Sequence, residues 1–84
     1  MSDRVVNERV VIVTGANDGI GLAMTRSLLT LGDRVGGLDV EENSLDDLAA
    51  EHDNLRHYRC DVTDSQRVRE VVSDVRGAWG RVDV

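Results

Sequence analysis

From Val10 to Thr14 the chain is β-branched without interruption, and it then runs straight into Gly15, Gly19 and Gly21. An apolar run that does not alternate marks a strand covered on both faces, and hence a parallel sheet. Glycine lacks a Cβ, so it can turn sharply at positive φ and let a ligand or another backbone come close. Between a strand and a helix, such a loop aims backbone N–H groups at one point. A helix N-terminus with free amides and a partial positive charge attracts phosphate.

The rest of the chain repeats the strand-then-helix alternation. Residues 1–8 read as a polar lead-in to a strand over residues 9–14. Beyond the glycines, Ile20, Ala23, Met24, Ser27, Leu28 and Leu31 fall on one side of an amphipathic helix, and Gly32 stands where a C′ glycine would end it. Residues 34–40 form a second strand, in which Gly36 and Gly37 either lose side-chain packing or mark a close backbone approach. Ser44 with Asp47 resembles a cap for a short helix whose stripe is Leu45, Leu48 and Ala49. Residues 55–60 form a third strand that places Arg56 on the same face as Tyr58 and Cys60, so Arg56 needs an end or an edge. Thr63 with Gln66 predicts a capping box ahead of Val68, Val71, Val72 and Val75, which repeat at i, i+3, i+4, i+7. Gly77 and Gly80 close that helix around Trp79, and residues 81–84 begin a fourth strand expected beside the first. The fold class is therefore α/β. It is a Rossmann-type parallel sheet in truncated half form, with three βα units plus the start of a fourth strand, and residues 1–84 make one dinucleotide-binding half-domain.

Composition narrows the partners. Sixteen acidic residues against ten basic ones leave a net charge of −6, which argues against a nucleic-acid or anionic-membrane surface. All the basic residues are Arg, and there is no Lys. Cys60 is the only cysteine, so no internal disulfide can form; a buried thiol in a reducing, cytoplasmic setting is expected. No apolar run approaches the ~18 residues of a membrane span. The acidic run from Asp33 to Asp53 reads as a solvated face. His52 and His57 have no paired cysteines and predict no metal site.

Three features converge on one ligand. The first is the loop, spaced G-x-x-x-G-x-G after an apolar strand; it is not a P-loop, which needs a Lys after its last glycine. The second is Asp39, 18 residues beyond Gly21 at the end of the second strand, where a carboxylate can accept hydrogen bonds from adenosine ribose hydroxyls. A 2′-phosphate there would meet a like charge, which favours NAD over NADP. The third is Asp61 with Val62 at the end of the third strand, where Asp61 either accepts from the adenine amino group or serves the helix start beside Thr63 and Asp64.

Taken in order, Thr14-Gly15-x-x-x-Gly19-x-Gly21, Asp39, Cys60-Asp61-Val62-Thr63-Asp64 and Gly80-Arg81-Val82-Asp83-Val84 resemble the short-chain dehydrogenase/reductase family along the whole length. The resemblance implies an NAD(P)-dependent oxidoreductase and a homo-oligomer for a full-length parent. It also implies that the pyrophosphate lies over Gly15, Asn17, Asp18, Gly19, Ile20 and Gly21, that Asp39 holds the ribose, and that Asp61 and Val62 flank the adenine. Asp18 is expected to turn its side chain away from that anion. The family's reaction uses a Tyr followed four positions later by a Lys, with a Ser upstream and an Asn after the fourth strand. Tyr58 is the only tyrosine and position 62 is Val, so no catalytic residue is assigned. The chain then corresponds to the amino-terminal, cofactor-binding portion of such an enzyme. Two other readings stand beside it: a non-catalytic nucleotide-binding module, and a methyltransferase-like domain for S-adenosylmethionine.

Overall fold

The computed structural model describes residues 9–84; the lead-in over residues 1–8 lies outside the described residues. Six elements alternate: β1 (Val10–Thr14), α1 (Gly19–Thr30), β2 (Arg34–Asp39), α2 (Asn43–Glu51), β3 (Leu55–Arg59) and α3 (Ser65–Trp79). The strands form one parallel sheet in the order β1-β2-β3. Val10 pairs with Arg34 at one end of the register, and Asp39 with Arg59 at the other. Residues 81–84 run beside the free edge of β1, since Asp83 N–H donates to Val10 O at 2.8 Å and Ile12 N–H to Val84 O at 3.0 Å. Residues 81–84 thus lie where a fourth strand was expected, beside the first, but form no strand themselves, and the sheet of this Rossmann-like arrangement has three strands among the described residues.

The unbroken apolar run of β1 is explained by a core on each face. Val11 and Val13 join Ala16, Leu29, Val35, Leu45, Leu48 and Leu55 beneath α1 and α2. Val10 joins Leu38, Cys60, Val71 and Val75 beneath α3, with Ile12, Tyr58 and Trp79 packed around them. The paired glycines of β2 turn out to mark close approach from both sides. A Cβ at Gly36 would stand 3.0 Å from Val75 of α3, and one at Gly37 would stand 3.2 Å from Ala16 and 3.3 Å from Leu45. Two helical layers thus close onto the centre of a three-stranded sheet where side chains would have held them off.

Four local expectations are corrected. The stripe Ile20, Met24 and Leu31 does not face the sheet: Ile20 is 82% exposed, and Met24 and Leu31 are half exposed. Thr25 and Leu29 are buried instead. The cause is Gly21, where a Cβ would fall 2.0 Å from Gly15 O. That contact fixes the rotation of the helix and turns the 21-25-29 line inward. The α2 cap is not Ser44, which lies inside the helix. The α3 cap is Asp64, accepting from Arg67 N–H at 3.1 Å, rather than Thr63, whose hydroxyl is committed to Asp61. Finally, Asp33 is fully buried rather than solvated. Its carboxylate accepts from both the backbone and the guanidinium of Arg9 at 3.0 Å, and this pairing is what makes the burial tolerable. The end of α1 follows expectation: Gly32 N–H donates to Leu29 O and Asp33 N–H to Leu28 O, a Schellman closure.

Candidate functional site

Parallel pairing brings the C-terminal ends of all three strands to one edge, where open α/β sheets bind their ligands. Gly15 and Gly19 have φ values of +63° and +54°, which L side chains rarely adopt, and among the described residues, local backbone and chain neighbours aside, no atom lies within 4 Å of where their Cβ atoms would stand. The loop's outer surface is therefore open. Leu22 N–H closes the first helical turn onto Asp18 O. Among the described residues the amides of Ile20 and Gly21 have no hydrogen-bond partner. Free amides at a helix start are the usual means of holding an anion. Asp18 does not turn away from this point. Its carboxylate folds back to accept from Gly19 N–H at 2.8 Å, serving as the α1 N-cap, so one of the amides is already satisfied from within the chain.

The loop is stitched to the neighbouring strand. Ala16 N–H donates to Leu38 O at 3.1 Å, and Asn17 N–H donates to Asp39 Oδ2 at 3.0 Å. Asp39 Oδ1 receives only a long contact, 3.3 Å, from Glu41 N–H. A carboxylate offers about four acceptor positions, so the half-buried Asp39 keeps capacity for further donors. Its own carbonyl receives Cys60 N–H at 2.9 Å, which anchors the end of β2 to the residue that follows β3. Asn17 is nearly buried, and its side chain is spent on α2: Oδ1 accepts from Ser44 and Leu45 N–H, and Nδ2 donates to Asn43 Oδ1.

Asp61 and Val62 lie beyond β3 and are both exposed. Asp61 is not a helix cap. It closes a small turn by accepting from Thr63 N–H at 2.9 Å and from the Thr63 hydroxyl at 2.7 Å through Oδ1. Those two bonds hold its carboxyl below the ordinary range. Its Oδ2 carries neither bond. The edge as a whole is acidic, with Asp39 at the end of β2 and Asp18, Glu41, Glu42 and Asp61 in the loops around it. Sequence reasoning passed over Arg59, which the register sets opposite Asp39; its guanidinium lies 4.0 Å from Glu42. It also passed over the role of Asn17 in α2. No local pattern signals that role, because the amides that Asn17 holds lie 27 and 28 residues further along the chain.

Fold and edge together define a Rossmann-type α/β domain with a glycine-rich strand-to-helix loop. The family model for short chain dehydrogenases matches residues 9–84, and the chain belongs to that family, which is one of enzymes. It is 37% identical over 81 residues to 2-(R)-hydroxypropyl-CoM dehydrogenase of Xanthobacter autotrophicus, covering 90% of this chain and 32% of that one. A crystal structure of a short-chain dehydrogenase from Streptomyces avermitilis superposes with a TM-score of 0.85 at 38% identity, over 99% of this chain and 30% of the other. 4-Hydroxyisoleucine dehydrogenase complexed with NADH shares the fold, with a TM-score of 0.74 at 24% identity, over 83% of this chain and 29% of that chain. The chain thus spans about a third of the length of these relatives. Membership of this family sets aside the methyltransferase-like alternative.

Proposed function

We propose that this chain is the dinucleotide-binding portion of an NAD-dependent short-chain oxidoreductase. The observation that carries the reading is the Asp39 carboxylate, held at the end of β2 by Asn17 N–H while keeping acceptor capacity for the two ribose hydroxyls. The residues present suit such a cofactor. Ile20 and Gly21 offer free amides to a pyrophosphate, Gly15 and Gly19 leave room above the loop, and Asp61 with Val62 stands where adenine would lie. Asp39, Glu41 and Glu42 crowd carboxylates around the position a 2′-phosphate would occupy, and this supports NAD over NADP. A relative of the same fold, 4-hydroxyisoleucine dehydrogenase, is complexed with NADH.

A bound dinucleotide would supply the hydride acceptor or donor through its nicotinamide ring, and the residues of this chain would bind and orient its adenosine half. Tyr58, the only tyrosine, is a poor candidate for proton transfer. Burial pushes its phenol upward, its hydrogen bond to Asp74 adds to that, and the neighbouring Arg56 only partly opposes them. A proton-transfer tyrosine working near neutral pH needs the reverse shift, supplied by a nearby cation. Catalysis is accordingly assigned to none of these residues.

Calorimetric titration of the folded chain tests the reading. NAD should bind more tightly than NADP, and Asp39→Ala should weaken NAD by about tenfold or more, the loss of one charge-assisted hydrogen bond. Failure of wild type to bind NAD, or an undiminished affinity in Asp39→Ala, would overturn it. Binding of AMP or ATP equal to that of NAD would instead favour a non-catalytic nucleotide module.

A further inference from the structure

Helix α2 starts without a side-chain cap from its own segment. Glu42 occupies the N-cap position and makes no such bond, while the Ser44 and Leu45 amides are taken at 2.8 and 3.0 Å by Oδ1 of Asn17, 27 and 28 residues upstream. Asn17 Nδ2 donates to Asn43 Oδ1 at 2.8 Å, and Asn17 N–H donates to Asp39 Oδ2 at 3.0 Å. The residue is only 6% exposed. Beside it, a Cβ at Gly37 would stand 3.2 Å from Ala16 and 3.3 Å from Leu45, so the glycine is what lets the loop and α2 close over β2 side by side. One side chain therefore ties the glycine loop to the start of α2, and its own backbone ties the same loop to Asp39. A carboxylate must be held in one orientation to meet two adjacent hydroxyls, and an unrestrained side chain loses rotamer freedom on doing so.

We propose that Asn17 is a positioning residue for cofactor choice, which locks the glycine loop against α2 so that its backbone amide holds the Asp39 carboxylate in its ribose-accepting orientation. This rests on the reading that Asp39 receives the ribose. Asn17 acts on the dinucleotide through Asp39, since its own side-chain bonds are already committed to α2. Loss of the side chain frees the loop, lets Asp39 rotate, and erodes the preference for a cofactor without a 2′-phosphate. A simple helix cap would have no such effect on selectivity once α2 is capped by other means.

The double variant Asn17→Ala/Glu42→Ser separates the two roles, because Ser at the N-cap restores a local cap while leaving the loop untied. With its fold checked by circular dichroism, NAD and NADP are titrated against it, against Glu42→Ser alone, which lacks the same carboxylate, against wild type and against Asn17→Asp. The expected result is a fall of about tenfold in the NAD-to-NADP affinity ratio relative to Glu42→Ser alone, with Asp39→Ala costing less than about threefold when added to the double variant. Asn17→Asp keeps the acceptor for Ser44 and Leu45 and should retain most of the wild-type ratio. A ratio in the folded double variant equal to that of Glu42→Ser overturns the proposal and leaves the functional reading intact. No NAD binding by wild type overturns the functional reading, and the proposal with it. Should the double variant not fold, Asn43→Ala carries the test: it removes the partner of Asn17 Nδ2 and leaves the α2 amides capped. A drop of about threefold in the ratio is then expected, and no drop overturns the proposal.

Discussion

Gly15 and Gly21 are both indispensable to the loop, for opposite reasons. Gly15 stands in open space and is needed for its positive φ, whereas Gly21 has ordinary helical geometry and is needed because the Gly15 carbonyl occupies the place of its Cβ. The difference is measurable. Gly15→Ala should cost about 1–2 kcal/mol through the left-handed backbone, and Gly15→Asn should cost less because Asn tolerates that region. Gly21→Ala should cost about 3 kcal/mol, the upper end for overpacking, because the obstruction is backbone that cannot rotate away. Gly21→Asn should be worse than Gly21→Ala, since bulk is the fault there. Denaturant unfolding of the four variants checks the order, and equal costs at the two sites would show the distinction to be wrong.

At the scale of the element, the orientation of α1 shows how one contact overrides a hydrophobic pattern. The stripe through Ile20, Met24 and Leu31 is as apolar as a core face, yet the helix is rolled so that Thr25 and Leu29 meet the sheet. Thr25 tolerates full burial because its hydroxyl donates to Gly21 O at 2.8 Å. Leu29→Ala should therefore destabilise by about 2–5 kcal/mol, while Met24→Lys should change stability by no more than about 0.5 kcal/mol. Thermal unfolding of the two variants would expose an error in the rotation if Met24→Lys proved the costlier. The caps carry the same lesson. A sequence segment can name a residue able to cap, as at Ser44 and Thr63, but the cap that forms is whichever acceptor the packed chain brings within hydrogen-bond reach. That is Asn17 for α2, at 2.8 Å, and Asp64 for α3, at 3.1 Å.

For the whole molecule, an excess of carboxylates makes stability depend on pH in a definite direction. Hydrogen bonds from Thr63 lower Asp61, the Tyr58 hydroxyl lowers Asp74, and Arg81 with Val10 N–H lowers Asp83. Each group binds protons less readily folded than unfolded. Its contribution is therefore present above the unfolded value of about 4 and is lost as pH falls through the lower folded values. The melting temperature should decline on acidification below about pH 4, and Asp83→Asn should flatten part of that decline. On the alkaline side, burial raises Tyr58 and Cys60. The fold favours their neutral forms, so stability is kept below their unfolded values and is lost as pH rises beyond them. A melting temperature that stayed constant from pH 5 to pH 2 would contradict this assignment of the acid limb.

The order of elements, the parallel sheet and the family were legible in the residues themselves, because they rest on local periodicity and on glycines whose spacing reflects backbone geometry. Val10 to Thr14 could only be a strand buried on both faces, and the 15-19-21 glycines could only join it to a helix. The positions of Asp39, Asp61 and the loop at one edge followed from parallel topology alone. What required the tertiary structure was every choice among chemically equivalent partners. Tertiary packing decided which face of α1 turns inward, which of several acids is buried, which acceptor caps α2, and where the carboxylate of Asp18 turns. The burial of Asp33 and the cap of α2 depend on residues more than 20 positions apart, and a linear pattern carries no information about such distances; the roll of α1 and the turn of Asp18 are set closer by, but by backbone geometry that residue types alone do not specify. Gly21 against Gly15 O, Asp33 with Arg9, and Asn17 joining Asp39 to Ser44 and Leu45 are decided by the shape of the packed chain.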